Sequence, residues 1–130
     1  MQSMPENNLY EYAVIRVVPR VEREEFLNVG VILYCSSQRF LQTRYVVNKS
    51  RLLALCEHLN LETVEIRLRA FRHVCEGPVE GGPIGNLPIA SRFRWLTASR
   101  STVVQTSVVH PGLCANAAET LDKLFEKLVL

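Results

Sequence analysis

Hydrophobic and polar positions alternate with a period of two over residues 10–18, YEYAVIRVV, and the richness of that run in β-formers predicts a strand. One face carries Tyr10, Tyr12, Val14, Arg16 and Val18, and the other Ala13, Ile15 and Val17. Pro19 ends it, having no N–H to give a ladder. The charged run Arg20–Glu25 is a connection with room for one helical turn. Residues 26–35, FLNVGVILYC, are apolar on both faces, the pattern of a central strand covered on both sides. Gly30 within it marks a bulge or a close backbone approach. Ser36-Ser37-Gln38 then turns the chain into a third strand, Arg39–Val47, completing an antiparallel meander.

After Asn48 the period changes to that of a helix. Ser50 is the expected N-cap, and Leu52, Leu55, Cys56 and Leu59 form the apolar stripe. A break at Asn60 precedes a second helix over residues 62–75, with Val64, Leu68, Phe71 and Cys75 inward and Glu65–Arg69 as an i,i+4 pair on the wet side. Residues 77–88 hold four of the six glycines and three of the six prolines, which predicts an irregular loop. A short helix over 89–97 places Phe93 or Trp95 against the core. STVVQTSVV, residues 101–109, alternates as a fourth strand, after which Pro111-Gly112 turns the chain. The last helix opens on a capping box, Asn116 with Glu119, and continues with Leu121, Leu124, Phe125 and Leu128 at i, i+3, i+4, i+7.

These elements describe an α+β protein. A single domain over residues 10–130 follows a disordered N-terminal tail at residues 1–9. Its antiparallel sheet has about four strands, a three-strand N-terminal meander plus one C-terminal strand, packed with three or four helices. No run reaches the roughly eighteen apolar residues of a membrane helix. The opening MQSMPENNLYEY has neither the basic start nor the apolar run of a signal peptide, which predicts a cytoplasmic protein. Cys35, Cys56, Cys75 and Cys114 are scattered among apolar neighbours and read as small buried hydrophobes in a reducing compartment.

A formal net charge of +2 argues against a generic duplex binder. The distribution of charge says more than its sum. No carboxylate occurs from Gly81 to Ala118, a stretch that carries Arg92, Arg94, Arg100 and the only tryptophan, Trp95. Arginine and aromatic residues interleave there, and Ser101, Thr102 and Gln105 add donors, so the segment suits an anion, an acidic partner or stacked bases. Arg16 joins the candidates because a charge interrupting an apolar strand face needs a partner. His110 joins as a neighbouring titratable group.

Catalytic and cofactor motifs are not evident. Cys56-x-His58 and His73-x-Cys75 put paired ligands on opposite sides of a helix, so no metal is assigned. His110 and Cys114 are separated by Pro111-Gly112, and neither they nor Ser101 fall in a nucleophile motif. Gly81-Gly82-Pro83-Ile84-Gly85 lacks the ending of a phosphate loop. The expected catalytic set and cofactor set are therefore empty.

Two phrases, YEYAVIRVVPRVEREEFLNVGVILYC at 10–35 and SRFRWLTASRSTVVQTSVVHPGLC at 91–114, resemble the bacterial family catalogued as domain of unknown function 3037. The resemblance runs from about Tyr10 to the final helix. It implies a small stand-alone protein with no catalytic residues to carry over, and a protein partner, with a HipA-like kinase as candidate. The expected function is a non-enzymatic interaction or regulatory module acting through Arg16, Arg92, Arg94, Trp95, Arg100, Ser101, Thr102, Gln105 and His110. Two alternatives stand beside it: a nucleic-acid-binding accessory protein that stacks bases on Trp95 or Phe93, and an enzyme acting on an anionic small molecule through His110 with Cys114 or Ser101.

Overall fold

The first alternating run forms β1 (Asn8–Val17), the strand on which the sheet is built. The structure, a computed structural model, describes residues 8–78, 81–100 and 102–130. Residues 1–7 of the expected tail lie outside it, and residues 8 and 9 belong to β1. β1 pairs antiparallel with β2 (Leu27–Cys35), and β2 with β3 (Phe40–Tyr45), which is the expected meander. Along its other edge β1 pairs with two short strands in succession. β4 (Val104–Thr106) lies against its C-terminal half and β5 (His110–Cys114) against its N-terminal half.

Helices cover the sheet from both sides. On one face α1 (Lys49–Leu55), α2 (Leu61–Glu76) and α3 (Ile89–Leu96) bury Leu52, Val64, Leu68, Phe71, Phe93 and Leu96 against Ala13, Ile15, Val17 and Ile32. On the other, α4 (Ala117–Leu128) buries Leu121 and Phe125 against Val31, Leu33 and Cys35. β2 thus has a core on each face, as its apolar run from Val29 to Cys35 requires.

Both expectations for Gly30 hold. Ile15 pairs with Gly30 but Arg16 with Asn28, so Val29 is an extra residue in β2. The bulge turns Val29 into the core on the α1–α3 side. A Cβ on Gly30 would stand 2.7 Å from the Arg44 carbonyl oxygen and 2.8 Å from the Tyr45 Cβ, so the backbones meet closely there.

Several local expectations are corrected. Asn48, not Ser50, caps α1: its side-chain oxygen accepts from the Arg51 N–H at 3.1 Å, while Ser50 already lies inside the first turn. The inward residue at the end of α2 is Val74, with Cys75 half-buried, and the i,i+4 ion pair on this helix joins Arg72 to Glu76 at 3.5 Å. Pro111-Gly112 is no turn but part of β5, tolerated because β5 is an edge strand that needs no N–H on its outer side. Gly112 gives the Tyr10 ring its place, since a Cβ would fall 2.4 Å from Tyr10 Cζ.

The expected long fourth strand is cut short by Ser107. Its N–H donates to the Val14 carbonyl at 2.8 Å, and its hydroxyl accepts from the Val14 N–H at 2.8 Å and donates to the Val108 carbonyl at 2.9 Å. A side-chain oxygen thereby replaces a ladder carbonyl, and Val108 turns out to solvent, 75% exposed. The chain re-enters the ladder at His110, so the strand expected over 101–109 keeps only Val104–Thr106, and β5 is an additional strand where a turn was expected.

Candidate partner-binding surface

α3 positions the aromatic–arginine segment. Its apolar residues Phe93 and Leu96 point into the core, so the helical period turns Arg94 and Trp95 outward. Phe93 is 1% exposed and stacks on Tyr34 at 5.4 Å, whereas Trp95 is 43% exposed. Of the two aromatics, Phe93 serves the core and Trp95 the surface.

Arg100 folds back over the end of this helix. Its guanidinium donates to the Leu96 carbonyl at 2.7 Å and to the Trp95 carbonyl at 2.6 Å, which also accepts a long bond from the Ala98 N–H at 3.4 Å, so it covers the carbonyl end of the helix. The same group lies 4.7 Å from the Trp95 ring centre and 5.4 Å from that of Phe71. Burial lowers its pKa, yet a guanidinium remains charged at any working pH. The cation is therefore fixed by two carbonyls and two rings.

Across from it α2 presents Arg67 and Ala70, and Thr102 and Val104 close the floor of a cleft of about 120 Å³. Among the described residues two arginines and one indole line it, without a carboxylate. Thr102 bonds the Val104 carbonyl at 2.8 Å. Among the described residues, neither Arg67 nor Arg94 has a carboxylate partner. Arg67 lay outside the sequence expectation, since nothing local distinguishes it from the other arginines of α2.

The remaining candidates separate. Arg92 clamps α3 to the end of α2: it donates to the Leu87, Val74 and Cys75 carbonyls, each at 3.0 Å. Arg16 and Gln105 are direct partners across β1 and β4, on the α4 side of the sheet and away from the cleft. Gln105 donates to the Thr102 carbonyl at 2.8 Å. His110, exposed at the start of β5, lies beside Tyr12 with ring centres 5.3 Å apart. Cys114 sits buried at the far end of the same strand, so the two do not form a base–thiol pair. Ser101 lies outside the described residues. The structure thus gathers Trp95, Arg100 and Thr102 with Arg67, and places Arg16, Gln105 and His110 elsewhere.

A family model described as "Protein of unknown function (DUF3037)" matches residues 12–129, from β1 to the last turn of α4. The chain belongs to the DUF3037 family. No curated protein and no solved structure matches it.

Elsewhere the DUF3037 chain offers less convergent chemistry. A cavity of about 270 Å³ between the β1–β2 connection and the end of α1 is lined by Arg20, Arg23, Glu25, Cys56, Glu57 and His58. It mixes both signs of charge: Arg23 pairs with Glu25, and the His58 ring lies 3.3 Å from Glu57. Among the described residues no three His, Cys, Asp or Glu side chains converge as a metal would require, and no helix is long and apolar enough to cross a membrane. Burial pushes the Cys75 thiol up to about 11, against the opposing effects of its Thr43 hydrogen bond and the Arg92 charge.

Proposed function

We propose that this bacterial DUF3037 protein is a non-enzymatic cytoplasmic interaction module that docks an acidic segment of a partner protein in the cleft between α2 and α3. One observation carries the proposal: a half-exposed tryptophan, held by a stacked arginine, beside a second arginine, with no carboxylate among the described residues lining the cleft. Tryptophan and arginine are the residues that most often anchor protein interfaces. Arg100 is already ordered by its carbonyls and rings, so docking costs it little side-chain entropy. Arg67 supplies a forked donor to an incoming carboxylate. The family resemblance favours a HipA-like kinase as the partner.

The clean variants are Arg67→Glu and Trp95→Ala, because replacing Arg92 or Arg100 also removes helix-end contacts. Affinity capture from source cells at low and moderate salt, with bound proteins identified by mass spectrometry, tests the proposal. The expected result is a partner that the wild type holds at low salt, that weakens as salt rises, and that both variants lose. A partner retained equally by wild type and both variants refutes docking in the cleft.

A further inference from the structure

The other face of the sheet carries a second surface, built from residues the cleft does not use. α4 packs over β2 and β3. Beside it the period of two sends Tyr10, Tyr12, Val14 and Arg16 of β1 to one face, and the registers place His110 next to Tyr12 and Gln105 next to Arg16. Tyr12 and His110 lie with ring centres 5.3 Å apart at an interplanar angle of 37°, and Tyr10 follows 6.1 Å from Tyr12. At the other end the Arg16 guanidinium stands 4.1 Å over the ring of Phe26, which is 45% exposed. The buried Arg16 Nε has no hydrogen-bond partner, and no carboxylate pairs with this arginine among the described residues. The strip contributed by β1, β4 and β5 has no Asp or Glu, since Glu11 alternates to the opposite face.

We propose that this strip is a binding platform for single-stranded nucleic acid. At its upper end the exposed His110 ring, with the outer sides of the partly buried Tyr12 and Tyr10 whose other sides pack against the α4 core, offers π faces to unpaired bases, and the Arg16 cation at its lower end meets a phosphate. From Tyr12 to Arg16 the strand rises about 13 Å, the scale on which sheet platforms stack roughly two or three bases. An acidic peptide fits less well, because three aromatic or imidazole rings with one arginine offer it a single ion pair. A duplex fits less well again, since its bases are already stacked and the chain has little net charge. The platform and the cleft lie on opposite faces of the sheet, so this proposal stands whether or not the cleft docks a partner.

Fluorescence anisotropy of short labelled uridylate and thymidylate oligonucleotides, at about 50 and about 200 mM salt, tests it with the full chain. The expected result is saturable binding that weakens with salt and falls about five-fold or more in His110→Ala and in Tyr12→Leu. His110 is exposed, so its replacement does not threaten the fold. Tyr12→Leu keeps apolar bulk while removing the π face, and its circular dichroism is checked against the wild type. No binding at low salt, or binding unchanged in His110→Ala, overturns the proposal. Binding lost through Arg67→Glu but not His110→Ala also overturns it, by moving the strand to the cleft.

Discussion

Ser107→Ala tests the joint between β4 and β5 more sharply than any change in the core. Ser107 is 6% exposed and Val14 is 7% exposed, and the serine hydroxyl is the acceptor for the Val14 N–H at 2.8 Å. Alanine keeps the backbone bond from Ser107 N–H to the Val14 carbonyl but removes that acceptor. The ladder is interrupted at this point, so no carbonyl of β4 or β5 stands ready to replace it. A buried donor left unpaired costs about 1–3 kcal/mol. With an unfolding entropy of about 2.1 cal/mol/K per residue, a chain of this length loses about 4–11 °C in Tm for that cost. Thermal unfolding followed by circular dichroism reads the effect, and Ser107→Thr, which retains a hydroxyl, is expected to lose less. A Tm within about 2 °C of the wild type in Ser107→Ala would refute the assignment of the Val14 N–H to this side chain.

Arg92→Met removes three contacts that fasten the end of α2 to α3, and is expected to destabilise by about 1–3 kcal/mol. Arg92→Lys is expected not to restore this, because a single ammonium cannot span Leu87 and the end of α2 together; unchanged urea midpoints for Arg92→Met would contradict the clamp. Cys75 holds its proton more tightly folded than unfolded, with a pKa raised from 9.0 to about 11. Its contribution to stability is therefore full below about pH 9 and is lost as pH rises toward about 11, by up to roughly 3 kcal/mol. Unfolding titrations across that window should show a smaller decline in Cys75→Ala, and equal declines would show that the thiol is not protected by burial. The same burial predicts that Cys75 resists alkylation at pH 8 until the chain is unfolded.

The sequence carried the elements whose signals are local. The meander, the bulge at Gly30 and the α4 cap all follow from alternation, a glycine in an apolar run, and Asn116 three residues before Glu119. What it did not carry depends on distant partners. Ser107 reads as one more position in an alternating strand, and only its pairing with Val14 reveals a joint. Pro111-Gly112 has the signature of a turn, which an open sheet edge overrides. The candidate site was partly legible for the same reason. Trp95 and Arg100 are close in sequence and come together, but an arginine's role is set by which carbonyls lie within reach. That criterion separates Arg92, bound to the end of α2, from Arg67 on α2 itself, whose guanidinium has no carboxylate partner among the described residues. The pairing of Arg16 with Phe26 likewise depends on the β1–β2 register and not on spacing along the chain.

Docking of an acidic segment in the cleft is tested most directly by site-specific photo-crosslinking in source cells. A photoreactive phenylalanine analogue at position 94, exposed on α3 beside Trp95, samples whatever occupies the cleft without replacing any residue that lines it. The expected result is one crosslinked protein, joined through a stretch rich in Asp and Glu, whose yield collapses when Arg67→Glu is introduced in the same chain. A crosslinked protein whose yield is unchanged by Arg67→Glu, or no crosslinked protein at all, would contradict it.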